Sequence, residues 1–270
     1  MPSSHPCLEV FARCAEAICA NRLIRRESRQ DKEFHFQNWF KARLHETGLN
    51  FEVGGRNSYP DFRLVASTDG FEVKGLAYPG REANYDCNSQ VPSGSHNGRS
   101  IFYIFGRYPS EPDGDSYPVL DLVVCHGDFL NANHNYIHKN KSVEGFGSYG
   151  GFLSGSQKRY VAPTPFGLAA GVAHNQTLIL TAGFATDSRF RCVGELVREA
   201  PEQLIVGYAF NRQADTMLPR LVRNPSAGAK RFFRAYRLKG APRDRVSMRE
   251  VEIQEEEMSE SATWVATAPT

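Results

Sequence analysis

Tyr59-Pro60-Asp61-Phe62-Arg63-Leu64-Val65-Ala66-Ser67-Thr68-Asp69-Gly70-Phe71-Glu72-Val73-Lys74 is the stretch on which the reading of this chain turns. Aromatic and β-branched residues at Tyr59–Ala66 and Gly70–Leu76, with polar residues and a glycine between them, predict two consecutive strands. Side chains alternate along a strand. Phe71 and Val73 therefore take one face while Glu72 and Lys74 take the other, and Phe62 and Leu64 oppose Asp61 in the same way. Two acids and an amine can share one side of a sheet, and two carboxylates on adjacent strands are a common means of holding Mg²⁺. Such an ion polarises a phosphodiester and activates a water against it.

The turn between the strands decides whether the acids meet. Asp69-Gly70 is a strong signal for a two-residue hairpin turn, and that turn would pair Ser67 with Glu72. Asp61 would then lie six residues up the strand, roughly 20 Å away at about 3.3 Å per residue. A loop of Ala66–Asp69 would instead put Val65 opposite Gly70 and Asp61 opposite Lys74, with Glu72 on the diagonal. The expectation is a turn wider than Asp-Gly suggests, or a sharp bend at Pro60-Asp61, bringing the carboxylates within about 6 Å, a span that one ion can bridge.

Outward from this hairpin, Leu8, Phe11, Ala15, Ile18 and Cys19 fall at helical spacing and predict an amphipathic helix over 6–26. Phe36, Trp39, Phe40 and Leu44 predict a second helix over 31–46, stopped at Gly48. Further strands are expected at 49–53, 101–107 and 118–125, and in a C-terminal half at 177–182, 190–198, 203–210 and 232–238. Residues 77–100 are polar and read as a loop with one short helix, and 145–160 are rich in Gly and Ser. No internal repeat or linker stands out. The expected fold is α/β: one domain over 1–249, with a core of about 31–126, a β-rich elaboration at about 160–249, and an acidic tail at 250–270.

The order helix, three strands, polar segment, strand, together with Pro60-Asp61, ten intervening residues and Glu72-Val73-Lys74, resembles the PD-(D/E)XK nuclease superfamily. The resemblance covers roughly residues 31–107. It implies a restriction-endonuclease-like core, a central mixed sheet flanked by helices, with Asp61 and Glu72 as Mg²⁺ ligands and the Val73 carbonyl as a further ligand. Lys74 would orient the attacking water and meet the developing charge. The chain holds no other acid-x-Lys, and its other Pro-Asp, Pro112-Asp113, comes too late. Many members of the superfamily carry a glutamate on the first helix. Glu33 fits that position for a second metal, or equally is an acidic charge favoured at a helix N-terminus. The polar segment holds Arg81, Asn84, Asn88, Gln90 and Arg99, residue types that pair with base edges in the major groove, although any surface loop carries such residues.

Composition is compatible with a polyanionic partner. The chain has 32 Lys and Arg against 30 Asp and Glu, but six glutamates lie in 250–270, where there is no Lys or Arg. The basic excess peaks between Arg220 and Arg249, interleaved with Phe232, Phe233 and Tyr236, either as a nucleic-acid surface or as a solvated face. His126, His134 and His138 raise a rival zinc reading, weakened by the poor helix sequence of 131–140. No apolar run is long enough to span a bilayer and the N-terminus lacks a secretory pattern, so no membrane and a cytoplasmic setting are expected. The six cysteines form no CxxC pair and read as reduced thiols.

The expected function is a Mg²⁺-dependent endonuclease acting on double-stranded DNA. A type II restriction enzyme is favoured, as a possible homodimer on a palindromic site, leaving 5′-phosphates. A repair or junction-resolving nuclease and a non-catalytic nucleic-acid-binding protein are the alternatives.

Overall fold

His5 and Pro6 start the first helix, α1 (Pro6–Cys19): the His5 ring accepts the Cys7 amide at 3.4 Å, and the proline takes an early position that needs no hydrogen-bond donor. The computed structural model describes residues 5–26, 32–55, 58–80, 82–87, 92–131, 161–168, 176–211 and 216–240, and structural statements below concern these. α1 ends earlier than its periodicity predicts. Asn21 adopts a left-handed φ of 52°, and the amides of Asn21 and Arg22 turn back to the carbonyls of Ile18 and Ala17. Ile24–Arg25 then forms a short strand on Ser116–Tyr117 instead of a last helical turn. α2 (Lys32–Glu46) matches its expected extent and stops at Gly48, with φ 74°.

The molecule is α/β with one large mixed sheet and few helices. Nine strands make the sheet: β1 (Phe51–Val53), β2 (Phe62–Leu64), β3 (Asp69–Tyr78), β4 (Ser95–His96), β5 (Arg99–Pro109), β6 (Asp121–His126), β7 (Thr177–Thr181), β8 (Phe190–Glu199) and β9 (Lys230–Leu238). Their order is β8-β9-β7-β6-β5-β3-β2-β1, with β4 added against the start of β5. Pairing is parallel for β3 with β5 and for β6 with β7, and antiparallel elsewhere. The C-terminal strands thus continue the sheet of the first half. Gln203–Asn211 and Thr216–Arg223 form a separate hairpin, the second strand of which the sequence pattern had not suggested.

Residues 77–100 contain no helix among the described residues. β3 runs on to Tyr78, Asn84–Asp86 pairs with Val161–Pro163, and β4 turns into β5 through Asn97 and Gly98, both at positive φ. Asn-Gly supplies the two left-handed positions of a tight hairpin, a local signal that a search for helical period passes over. No helix among the described residues is long and apolar enough to cross a membrane. The six cysteines are free, four of them buried.

Each face of the sheet carries its own core. Phe62, Phe71, Val73, Phe102 and Ile104 pack under α1 and α2, while Ile101, Tyr103 and Phe105 face Tyr85, Cys87, Phe129, Phe166 and Leu168. Arg107 ties the second cover to the sheet. It is buried, paired with Asp121, and held between the rings of Tyr78 and Phe166 at 4.5 and 4.2 Å.

α2 sits close to β5 because Gly106 has no side chain. A Cβ there would meet the Phe36 ring at 2.1 Å. Gly106→Ala is therefore expected to cost about 1–3 kcal/mol through overpacking, read as a lower urea midpoint at unchanged slope. An unchanged midpoint would mean that α2 does not rest on this position.

Candidate functional site

Asp61 sits just ahead of β2, and Glu72 and Lys74 sit in β3. The pairing Phe62 with Phe71 and Arg63 with Gly70 fixes their relation. One step further along, Asp61 faces Glu72. The turn is therefore wider than Asp-Gly would make it, and lies one residue earlier than the Ala66–Asp69 loop, which had put Asp61 opposite Lys74. The difference is two residues, so every side chain keeps its face.

The local chemistry explains why Asp69-Gly70 does not turn. The Asp69 carboxylate is buried, 3.4 Å from His5 Nδ1, and accepts the Cys7 amide at the start of α1. Gly70 lies beneath the Pro60 ring, where a Cβ would come to 2.6 Å. Both residues pair with β5, Asp69 with Ser100 and Gly70 with Ile101. The turn moves to 65–68, held by Arg99, whose Nη1 donates to the carbonyls of Leu64 at 3.0 Å and Ser67 at 3.3 Å. The Ser100 amide adds a bond to the Thr68 carbonyl.

Asp61 and Glu72 engage each other's main chain. The Asp61 amide donates to Glu72 Oε2 at 3.3 Å, and Asp61 Oδ2 accepts the Val73 amide at 2.8 Å. On the same register Val73 falls opposite Pro60, which has no N–H to give to the Val73 carbonyl. Lys74 Nζ lies 2.9 Å from Glu72 Oε1, with side-chain exposures of 14% and 12%. Gln37, from α2, donates to the Asp61 carboxylate. Behind the acids, the hydroxyls of Tyr59 and Tyr103 stand 2.8 Å apart, and Tyr103 is the β5 neighbour of Glu72. Burial holds both phenols well above their ordinary range.

Burial also raises both acids. Asp61 is raised despite Lys74 and the bonds from Val73 and Gln37. Glu72 is pushed from its usual 4.5 to about 7, by burial and then by the charge of Asp61, with Lys74 opposing. Two crowded acids against one amine leave the cluster short of positive charge. Its oxygens are the hard donors that Mg²⁺ takes, one or two carboxylates completed by water and phosphate. Among the described residues no group of three or more His, Cys, Asp and Glu side chains comes together as a fuller cage.

The other predicted site residues are distributed differently. Glu33 falls in the first turn of α2, and its side chain lies outside those described. Gln37, one helical turn on, is the α2 residue that reaches Asp61, and neither it nor Tyr59 and Tyr103 stood out in the sequence. Its position four residues after Glu33, one helical turn along the same flank, is the signal that could have found Gln37. Arg99 holds the loop just described instead of standing free, and Asn84 is exposed on the strand that pairs with Val161–Pro163. Arg81, Asn88 and Gln90 lie outside the described residues, as do His134, His138, the stretch 145–160 and the acidic tail. His126 sits beside Asp128, which pairs with Arg231. Much of the basic run is paired within the fold: Arg234 bonds Glu195, Lys230 lies 3.8 Å from Glu199, and Arg237 is buried.

The chain matches no family model, no curated protein and no solved structure.

Because the folded state raises the Glu72 pKa, this group favours folding when protonated and opposes it when ionised. Without divalent ions, wild-type stability should fall relative to Glu72→Gln as pH rises from about 4.5 to about 7. Paired urea titrations across that window test this. A difference independent of pH would remove the raised ionisation from Glu72.

Proposed function

We propose that this chain is a Mg²⁺-dependent endonuclease of the PD-(D/E)XK kind that hydrolyses double-stranded DNA, in its finer form a type II restriction enzyme leaving 5′-phosphates. The observation that carries the reading is the placement of Asp61 directly across from Glu72, with Lys74 on the same face. Asp61 and Glu72 are the residues that would hold the ion, with the Val73 carbonyl beside them. When bound, Mg²⁺ lowers the pKa of a water and polarises the phosphate.

The chain's own groups do the rest. Gln37 and the Val73 amide fix the Asp61 carboxylate through hydrogen bonds, so its orientation is set before any substrate arrives. The Tyr59–Tyr103 pair walls the site from behind. Lys74 Nζ, anchored on Glu72, presents a positive charge where negative charge grows on the phosphate during attack. A symmetric dimer on a palindromic target is the simplest form of a specific enzyme of this type.

Incubating the purified chain with supercoiled plasmid and Mg²⁺ should give discrete fragments that end-labelling shows to carry 5′-phosphates. A smear or structure-dependent cutting would favour a repair nuclease, and a gel shift without cutting would favour a binding module. Asp61→Asn should abolish cutting while leaving DNA binding in place. Lys74→Ala should slow the reaction by about 10²–10³-fold, the usual loss for one group that stabilises transition-state charge. Undiminished cutting by Asp61→Asn would move the active site elsewhere.

A further inference from the structure

On the flank of α2 away from Gln37 lies a cavity of about 440 Å³, within the size range of small-molecule sites. Arg22, Arg25, His35, Asn38, Trp39 and Arg43 line it, and no carboxylate is among the described residues that line it. At about 100° per residue, positions 35, 38, 39, 42 and 43 fan around one side of the helix and position 37 falls nearly opposite. The cavity therefore owes nothing to the acidic site.

Among the described residues its positive charge is only partly cancelled. Arg43 is neutralised by Glu46 through two bonds of 2.9 and 2.7 Å, but neither Arg22 nor Arg25 has a carboxylate partner among the described residues. Both are carried on fixed main chain. The left-handed Asn21 and the Arg22 amide bond to Ala17 set the path of the chain out of α1. The Arg22 carbonyl then accepts the Trp39 indole at 2.8 Å. Arg25 is pinned by the pairing of Ile24–Arg25 with Ser116–Tyr117. His35, buried on the floor, lies 3.3 Å from the Tyr117 hydroxyl. One face of Trp39 stacks on Phe36, and the Arg43 guanidinium lies 5.3 Å from its ring centroid, so the indole is built into the wall.

We infer that this pocket binds a phosphate group, gripped by Arg22 and Arg25. Two planar guanidinium forks on a rim of fixed main chain, with polar His35 and Asn38 beside them and no opposing acid among the described residues, suit a multivalent tetrahedral anion. The phosphate belongs either to a free phosphorylated small molecule or to a nucleic-acid backbone lying across the rim. The inference is independent of the proposed nuclease chemistry.

Calorimetric titration of the whole chain with inorganic pyrophosphate tests the site directly. Saturable binding is expected, weakened about tenfold or more in Arg22→Gln/Arg25→Gln. Both residues are exposed, so the variant should fold as wild type does, which circular dichroism checks. No saturable binding, or equal binding by the variant, overturns the inference. A second arm uses a short DNA duplex. If the backbone is the source, the variant's salt dependence should fall by about 0.9 for each phosphate that the two arginines neutralise in the wild type. A duplex isotherm that does not change, alongside abolished pyrophosphate binding, assigns the pocket to a free anion.

Discussion

The pairing of Phe62 with Phe71 is the contact on which the rest of the arrangement depends. A slip of one residue would turn Asp61 toward the helices, and a slip of two would take it from Glu72 to a neighbour. Several independent contacts hold the register. The Phe62 and Phe71 rings both pack on Phe40, Pro60 lies over Gly70, and Arg99 binds the carbonyls of the connecting loop. β3 is further locked to β5 by a continuous parallel ladder from Asp69 to Tyr78. Glu72 thus stands on a strand fixed from both sides, where crowding it against Asp61 can be sustained.

Strong periodicity made some elements legible. α2, β3, β5 and β6 were expected close to their observed limits because aromatic and β-branched runs coincide with buried positions. Asp61, Glu72 and Lys74 could be placed on one face because alternation needs no tertiary information. The register could not. Asp69-Gly70 reads locally as a turn, and only the distant His5, Cys7 and Ser100 convert it to strand. The C-terminal end of α1 was misjudged because Arg22 and Arg25 are good helix formers, and Asn21 in the left-handed region overrides them. Gln37 was invisible as a site residue because a helix sequence does not say which polar flank faces the sheet edge.

Charge followed a similar rule. The basic run before the acidic tail looked like a surface for a polyanion, yet Arg231 answers Asp128 and Arg234 answers Glu195. Less conspicuous arginines, Arg22 and Arg25 among them, are exposed and have no carboxylate partner among the described residues. Net charge and clustering along the chain record how many charges exist. Pairing across strands determines which of them a partner could meet.

The position of β9 has a consequence for how the chain is made. It lies between β7 and β8, although it follows both in the chain. Until residue 238 has left the ribosome, β7 must wait with one edge open, its Leu178, Ile179 and Leu180 fully buried in the finished fold. Such an edge is a template for pairing with another nascent chain. Completion of the sheet therefore depends on long-range closure, and until β9 arrives the edge of β7 is open to mispairing.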